Sequence, residues 1–394
     1  MSEAYIVAFA RSAVVKGKPT GQFAFDPAED IAAQVLQGLI QKLGPHFDLQ
    51  LIDDLIVGCS MPENRQGGNI ARKLGLRAGL PFEVPAETIN RFCASSLQAI
   101  AHASQAIQAG QADLIIAGGL EFQSTTPYAS LEAHNNYALE SQDCHLSDWM
   151  GLTAERVAED YQISREAQDQ FSVDSHHKAH RAQAAGKFDD EIIPVKAHTA
   201  QAHQTQLVQA DDGIRPDTNL DQVSRLKPIF KRGGTVTAAS SSQISDGASF
   251  LALVSKSMLD QLQLKPLAIF KGYQVAGVDP AVMGIGPVPA IQKLLNRQEI
   301  SMDQVDLIEL NEAFAAQALA VIKALDLDID KVNPNGGAIA LGHANGATGA
   351  VLSCKLLNEM ARQSESRYGL VSMCIGGGMG LQLSLNLYIR KVIA

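Results

Sequence analysis

Two cysteines and a histidine, far apart along the chain, each stand in a glycine- or serine-rich segment: NRFCASSLQAI around Cys93, GGAIALGHANGATGA around His343 and CIGGGMG around Cys374. A thiol that can ionise, an imidazole that can take its proton and a second thiol that can exchange another are the parts of nucleophilic catalysis with separate acid and base. Cys93 falls between an expected strand and an expected helix. Its sulfur should therefore sit near a helix N-terminus, where unpaired N–H groups and the macrodipole favour the thiolate. At an ordinary pKa of roughly 8.5 only a few per cent of a thiol is ionised at neutral pH, so a nearby base matters. His343 stands among Gly336, Gly337, Gly342, Gly346 and Gly349, where backbone can approach a ligand closely. Cys374 ends an apolar run and precedes three glycines, whose N–H groups can form an anion-binding nest. Asn311, the first residue of NEAF, can aim a donor into the same crevice or cap a helix.

Taken singly, each residue has an ordinary structural reading, since free cysteine is among the most buried residue types and a lone histidine is usually a satisfied one. His176, His177 and His180 form HHKAH with metal-like spacing, but no carboxylate or cysteine stands at a fitting offset, so a solvated helix face is the expectation. The five cysteines, Cys144 among them, are odd in number and lack a CxxC pair. That argues against a disulfide framework or zinc knuckle and for a reducing compartment. A net charge of −10 argues against nucleic acid as a partner; the segment SRLKPIFKRGG supplies a local basic patch for a small anionic ligand. No apolar run is long enough for a bilayer span, and YIVAFARSAVV, interrupted by Arg11, reads as a buried strand rather than a signal segment.

Periodicity and punctuation supply the elements that must position these groups. The first part predicts a helix over about Ala28–Leu43, strands in DLIVG (Asp54–Gly58) and ETINRF, and a helix over about Ser95–Ala109 whose Leu97, Ile100, Ala101 and Ile107 share one face. DLIIAGG (Asp113–Gly119) is the next strand. The C-terminal part repeats this order: a helix near Pro289–Asn296, the strand DLIEL (Asp306–Leu310), the glycine-rich segment leading into a helix through Leu356, and a last strand in YGLVSMCIGGG (Tyr368–Gly378). From Asp54 to Cys93 is 39 positions and from Asp306 to His343 is 37, so the chain reads as a duplicated α/β fold with Cys93 and His343 in matching turns. A pseudo-two-fold axis would bring both to the carboxyl ends of the strands. The polar middle, from about Leu120 to Ile244, holds a helix over Ser164–Ala185 begun by SREAQ. It reads as an inserted domain over the site, with a purely structural insertion as the other reading.

On NRFCASS, TVTAASSSQISDGA, VDPAVMGIGPVPA, NEAFAAQ, GGAIALGH and CIGGG, in that order, the chain resembles the thiolase family over essentially its whole length. The resemblance implies a layered α-β-α-β-α fold of two similar five-stranded α/β halves, residues 1–119 with 245–266 and residues 267–394, and an inserted CoA-binding loop domain at 120–244. It implies that Cys93 becomes acylated, that His343 is its base, and that Cys374 exchanges a proton with the substrate α-carbon or the CoA sulfur. One thioester oxygen would be held by His343 and a water on Asn311, the other by the N–H groups of Cys93 and Gly376. For CoA it points to Arg215 near the adenine, Leu226 and Phe230 along the pantetheine channel, Ser242 as a hydrogen-bond partner, and Met283 and Phe314 lining the inner site. CoA is then a substrate, with no tightly bound cofactor and no metal.

The implied activity is thiolysis of 3-ketoacyl-CoA, the acetyl-CoA C-acyltransferase reaction of fatty-acid β-oxidation. Biosynthetic acetoacetyl-CoA formation is the alternative. A decarboxylating β-ketoacyl synthase, which carries histidine or asparagine in place of Cys374, and a non-catalytic lipid carrier are more distant readings. The resemblance also implies a homodimer or homotetramer in the cytoplasm, without membrane insertion, with a β-oxidation multienzyme complex as a further partner. The terminal KVIA is not a peroxisomal tripeptide. Short-chain biosynthetic members usually read HMG where this chain has Trp149, Met150 and Gly151, and glycine where it has Gln243; both departures favour the degradative branch. Ala344 replaces the usual proline after the histidine, and Val351 the usual arginine after GATGA.

Overall fold

The run LIIAGGLEF (Leu114–Phe122) is buried at all 9 positions, and its side chains divide by parity between two cores. Leu114, Ile116, Leu120 and Phe122 join one cluster, Ile115 and Ala117 another. A strand with apolar neighbours on both faces must lie between two helix layers. The computed structural model describes residues 2–127, 138, 150–201, 203–363 and 367–387, so Cys144, Trp149 and the terminal KVIA lie outside the described residues.

In chain order the strands are β1 (Tyr5–Arg11), β2 (Val15–Lys16), β3 (Asp54–Gly58), β4 (Ala86–Ile89), β5 (Leu114–Phe122), β6 (Val195–His198), β7 (Thr205–Val208), β8 (Ser245–Val254), β9 (Ala268–Gly277), β10 (Leu307–Leu310), β11 (Tyr368–Ile375) and β12 (Met379–Leu387). The principal helices are α1 (Ala28–Leu43), α2 (Ile70–Ala78), α3 (Ser95–Gln108), α4 (Met150–Asp160), α5 (Arg165–Ala184), α6 (Pro287–Gln298), α7 (Ala315–Leu325), α8 (Ala338–Leu341) and α9 (Asn345–Arg362). Strands β4, β3, β5, β8 and β1 form the N-terminal half of the sheet path, and β9, β12, β11 and β10 the C-terminal half. The pairs Tyr5–Ile269 and Ile6–Ala268 join the halves. Where the first half has β4 beside β3, the second has an isolated bridge from Ile308 to Val332.

Helices α1 and α2 pack on the outer face of the first half and α6 and α7 on that of the second. Between the halves, α3 and α9 share one core with β5, β8, β11 and β12. The layered α/β architecture expected from the sequence is the one observed. Helix α9 is buried from Asn345 to Met360, as a helix between the two halves of the sheet must be, and it approaches α3 so closely that a Cβ on Gly349 would lie 2.7 Å from that of Leu97. Its one lysine, Lys355, is tolerated in this layer because it donates to Glu309 Oε2 (2.7 Å) and to Gly336 O (2.6 Å).

The duplication extends to side-chain detail. Asp53 Oδ2 accepts the N–H groups of Asp113 and Leu114 at 2.6 and 2.9 Å. Asp306 Oδ2 accepts those of Arg367 and Tyr368 at 2.6 and 2.9 Å. Asp53, not Asp54, is thus the counterpart of Asp306, a one-residue correction to the spacing read from the sequence. A second correction concerns the C-terminus. Strand β11 ends at Ile375 instead of Gly378, because Gly377 and Gly378 turn the chain with φ of 78° and 80°. The chain then reverses into β12, whose alternating LQLSLNL was overlooked.

Between β5 and β8 the chain carries α4, α5 and the β6–β7 hairpin. Ser164 caps α5 by accepting the Ala167 N–H, as SREAQ suggested. Among the described residues no helix is long and apolar enough to cross a membrane.

Candidate active site

Cys93 and His343 occupy equivalent turns. Each stands two residues before the first residue of a central helix, Ser95 of α3 or Asn345 of α9, and each follows a residue with left-handed backbone, Phe92 at φ 45° or Gly342 at φ 109°. A phenylalanine in that conformation is uncommon and needs support. Asn90 Oδ1 accepts the Phe92 N–H (2.7 Å), while Ser95 Oγ donates to Phe92 O (2.6 Å) and accepts the Arg91 N–H (2.9 Å). The His343 turn is clamped by the far end of the insertion, its N–H reaching Gln243 O (3.0 Å) and Ser245 Oγ (3.1 Å).

The N–H of Gly376 points at the Cys93 sulfur, and the two thiols are close enough that the charge of Cys93 opposes ionisation of Cys374. Burial pushes the Cys93 thiol up to about 11, with Glu121 acting in the same direction and the N–H groups of Gly376 and Cys93 opposing. Position at a helix start therefore does not yield the acidic thiol the sequence suggested, because desolvation outweighs the helix terminus. Cys374 is buried and raised well above the ordinary thiol range, first by desolvation and then by Cys93. Burial pushes His343 down to about 4. Nucleophile and base are both neutral at pH 7.

Neighbouring groups fix the histidine tautomer. Thr348 Oγ1 lies 2.7 Å from His343 Nδ1 and 2.9 Å from Ala344 O. The hydroxyl hydrogen goes to the carbonyl, so the oxygen accepts from Nδ1–H, and Nε2 is left as the basic nitrogen. Nε2 faces Asn311 Nδ2 at 3.4 Å. Asn311 is no helix cap, since α7 starts after Phe314. Its N–H is pinned to Ser372 O at 2.9 Å, and its buried Oδ1 has no partner among the described residues.

These acidities carry a pH prediction. Iodoacetamide alkylation of Cys93 should rise about tenfold per pH unit from roughly pH 6 to 9, because the thiolate fraction climbs through that whole window when the thiol pKa is about 11. A rate that levels off near pH 8 or 9 would show an ordinary thiol instead.

The residues expected to bind CoA fall into two connected groups. Arg215 and Leu226 line a groove of about 280 Å³ together with Gln222, Ala239, Ser241, Gln243 and Ile339. Further in, Met283 and Phe314 share a buried cluster with Cys374, and Phe230 packs edge-on to Phe314 with ring centroids 6.0 Å apart. Ser242 joins the two groups through its N–H to Ala313 O (3.0 Å). Arg225 and Lys227, the neighbours of Leu226 in the basic segment, are exposed, as is Arg232. The solvated helix face expected for HHKAH is corrected by burial. His176 lines the groove and accepts the Arg215 N–H through Nδ1 (3.1 Å); desolvation, then the charges of Arg215 and His177, push it down to about 4 and keep it neutral, and His180 alone of the three is exposed.

Several supporting residues were missed although they stand inside motifs already singled out. Glu312, next to Asn311 in NEAF, accepts Ser175 Oγ (2.6 Å), Asn333 Nδ2 (2.9 Å) and the Ile339 N–H (3.2 Å), anchoring the glycine-rich segment that leads to His343. Glu155, in the TAE (Thr153–Glu155) that follows the Trp149–Gly151 segment, accepts the N–H groups of Thr235 and Val236 and ties the insertion's loop to α4. Thr348, in GATGA, fixes the tautomer. Glu312 and Glu155 act on segments distant in the chain, so their roles show only once the fold brings the partners together.

Comparison with known proteins shows the family to which the chain is similar over nearly its whole length. The family model for the thiolase N-terminal domain matches residues 4–257, and that for the thiolase C-terminal domain residues 264–386. The chain is 46% identical over 387 residues to a 3-ketoacyl-CoA thiolase of Bacillus subtilis, covering 96% of this chain and 98% of that one. It is 43% identical over 400 residues to an acetyl-CoA acetyltransferase of Cupriavidus necator, covering 98% and 100%. The fold superposes on the crystal structure of the Bacillus anthracis acetyl-CoA acetyltransferase with a TM-score of 0.89 at 36% identity, covering 98% of this chain and 99% of that one.

Proposed function

The chain belongs to the thiolase family of acyltransferases, and from that premise we propose that it cleaves 3-ketoacyl-CoA with CoA, in the degradative direction, through an acyl group on Cys93. The observation that carries this reading is the convergence of the Cys93 sulfur, the Gly376 N–H and Cys374, with the basic Nε2 of His343 fixed in the turn that matches that of Cys93.

Because both partners start neutral, His343 Nε2 takes the Cys93 proton as sulfur attacks the 3-keto carbon. The N–H groups of Cys93 and Gly376 receive the oxyanion, which is where stabilisation matters most; losing one such donor typically costs about 3 kcal/mol. The bond between the α-carbon and the former keto carbon then breaks, and its electrons pass to an acetyl-CoA enolate whose oxygen is held by His343 and a water on Asn311. Cys374 donates its proton to the enolate carbon, and acetyl-CoA leaves. In the second half Cys374, now a thiolate, takes the proton of incoming CoA, whose sulfur attacks the acyl carbon. Cys93 departs and recovers its proton from His343. No tightly bound cofactor or metal enters the scheme; CoA is a substrate, seated on Arg215, Leu226, Phe230, Ser242, Met283 and Phe314.

The degradative branch is favoured by Gln243 and Trp149, the two positions that depart from the short-chain biosynthetic pattern. Gln243 Nε2 donates to Gly213 O (2.9 Å) and Ile339 O (3.1 Å) and so stiffens the groove wall. Thiolysis followed by loss of Mg-enolate absorbance, across 3-ketoacyl-CoA substrates of four to sixteen carbons, is expected to be fastest above four. Turnover of acetoacetyl-CoA alone would move the assignment to biosynthetic acetoacetyl-CoA formation, and no loss at any length would remove it. A homodimer or homotetramer in the reducing cytoplasm, alone or with a β-oxidation multienzyme partner, completes the proposal.

A further inference from the structure

We propose that Glu121 is the positioning residue that sets the Cys93 turn against the His343 turn, through a hydrogen-bond chain that crosses from one half of the molecule to the other. The inference rests on the roles proposed above for those two residues. The Phe92 N–H, adjacent to Cys93, donates to Asn90 Oδ1 (2.7 Å), and Asn90 Nδ2 donates to Ser60 O (3.1 Å). The Ser60 N–H donates to Glu121 Oε2 (2.8 Å), and the same oxygen accepts the N–H of Gly346 (3.0 Å), three residues after His343 in the first turn of α9. One buried oxygen thus receives the His343 turn directly and the Cys93 turn through Ser60 and Asn90.

The site demands a carboxylate. Glu121 Oε1 accepts Gln66 Nε2 (2.7 Å), and the Gln66 amide cannot flip, since its Oε1 accepts the Phe122 N–H (2.7 Å) while Nε2 also donates to Met61 O (3.0 Å). Position 121 must therefore accept on both oxygens, and neither Glu121 nor Gln66 is exposed to water that could substitute. The N–H of Gly346 is one of the groups a helix start leaves unpaired, and a negative charge is favoured there. Packing leaves no slack. A Cβ on Gly346 would lie 2.4 Å from Leu120 O and one on Gly119 2.2 Å from Gly346 O, so displacement at the end of β5 passes directly into the start of α9.

The test is a swap. Glu121→Gln puts an NH₂ group against the fixed NH₂ of Gln66, or else loses the shared acceptor for Ser60 and Gly346. Combining it with Gln66→Glu restores complementarity when the buried carboxyl at 66 is protonated: the amide oxygen at 121 accepts from Ser60 and Gly346, its NH₂ donates to the carboxyl at 66, one oxygen of that carboxyl still accepts the Phe122 N–H, and the other donates its proton to Met61 O. Steady-state thiolysis and circular dichroism of the purified full-length variants supply the readout. Glu121→Gln should lower kcat at least tenfold with KM changed less than threefold, and the swap should recover kcat to within about threefold of the parent even though the carboxylate at 121 is gone. An unchanged kcat in Glu121→Gln, a loss confined to KM, a folded swap that does not recover, or failure of both variants to fold would each overturn the proposal. Absence of thiolysis in the parent protein would instead remove the functional reading on which it stands.

Discussion

Replacing Cys93 by serine is expected to lower thiolysis by about 10⁴-fold or more while CoA still binds. The size follows from the neutral resting pair. With the thiol raised to about 11 and His343 lowered to about 4, the proton must move during attack, and the barrier depends on how readily the nucleophile gives it up and how nucleophilic the resulting anion is. A serine hydroxyl is several pKa units less acidic and intrinsically a poorer nucleophile, and the buried imidazole has no reserve of basicity to compensate. The groove lined by Arg215 and Leu226 does not include Cys93, so CoA affinity measured by calorimetry should change by less than about threefold. Retention of more than about one per cent of turnover would show that the acyl group travels by another route.

Much of this arrangement was legible in the chain because the reactive residues stand at punctuation points. Phe92-Cys93 and Gly342-His343 both break from extended to helical backbone, and helix starts are among the clearest local signals. The two five-residue runs DLIVG and DLIEL exposed the duplication, yet the aspartate that matches Asp306 is Asp53, since what aligns the halves is a carboxylate accepting two backbone N–H groups across the strands. Sequence spacing carries no record of that pairing. Strand β12 was missed for a related reason: the glycine turn at 376–378 was read as an anion nest ending the fold, when the same N–H groups serve both as a hairpin turn and, through Gly376, as a partner for Cys93.

Acidity was the property least accessible from sequence. A cysteine at a helix start suggests a lowered pKa, but the shift is decided by how much water is excluded, which depends on the opposing half of the molecule. His176 shows the same limit. On its own helix it reads as one of three solvated histidines, whereas the loop carrying Arg215, 39 residues away in the chain, buries it. Glu121, Glu312 and Thr348 escaped notice because each acts on a residue from a distant segment, and a lone polar residue beside a motif announces nothing until its partner is located.

Cys374→Ala is expected to slow both half-reactions by about 10²- to 10⁴-fold, the usual range for removal of a positioned acid–base group. The thiol is buried with Met283, Ala313 and Phe314, and its pKa is raised first by that desolvation and then by Cys93, so in the free enzyme it carries its proton and is ready to act as an acid toward the enolate carbon. Cys93 is neutral as the resting thiol and neutral again as the acyl thioester, so what changes between the halves is Cys374 itself: having given its proton to the enolate carbon, it is left as the thiolate required to take the proton of CoA. One residue can thus serve as acid in the first half and base in the second. Rapid-quench measurement of acetyl-CoA release and of acyl transfer from Cys93 to CoA separates the halves, and alanine should depress both rates. If alanine slowed acetyl-CoA release alone, the acid role would stand and CoA would need another base; if it weakened CoA binding with both rates intact, Cys374 would belong to the channel wall and not to the chemistry.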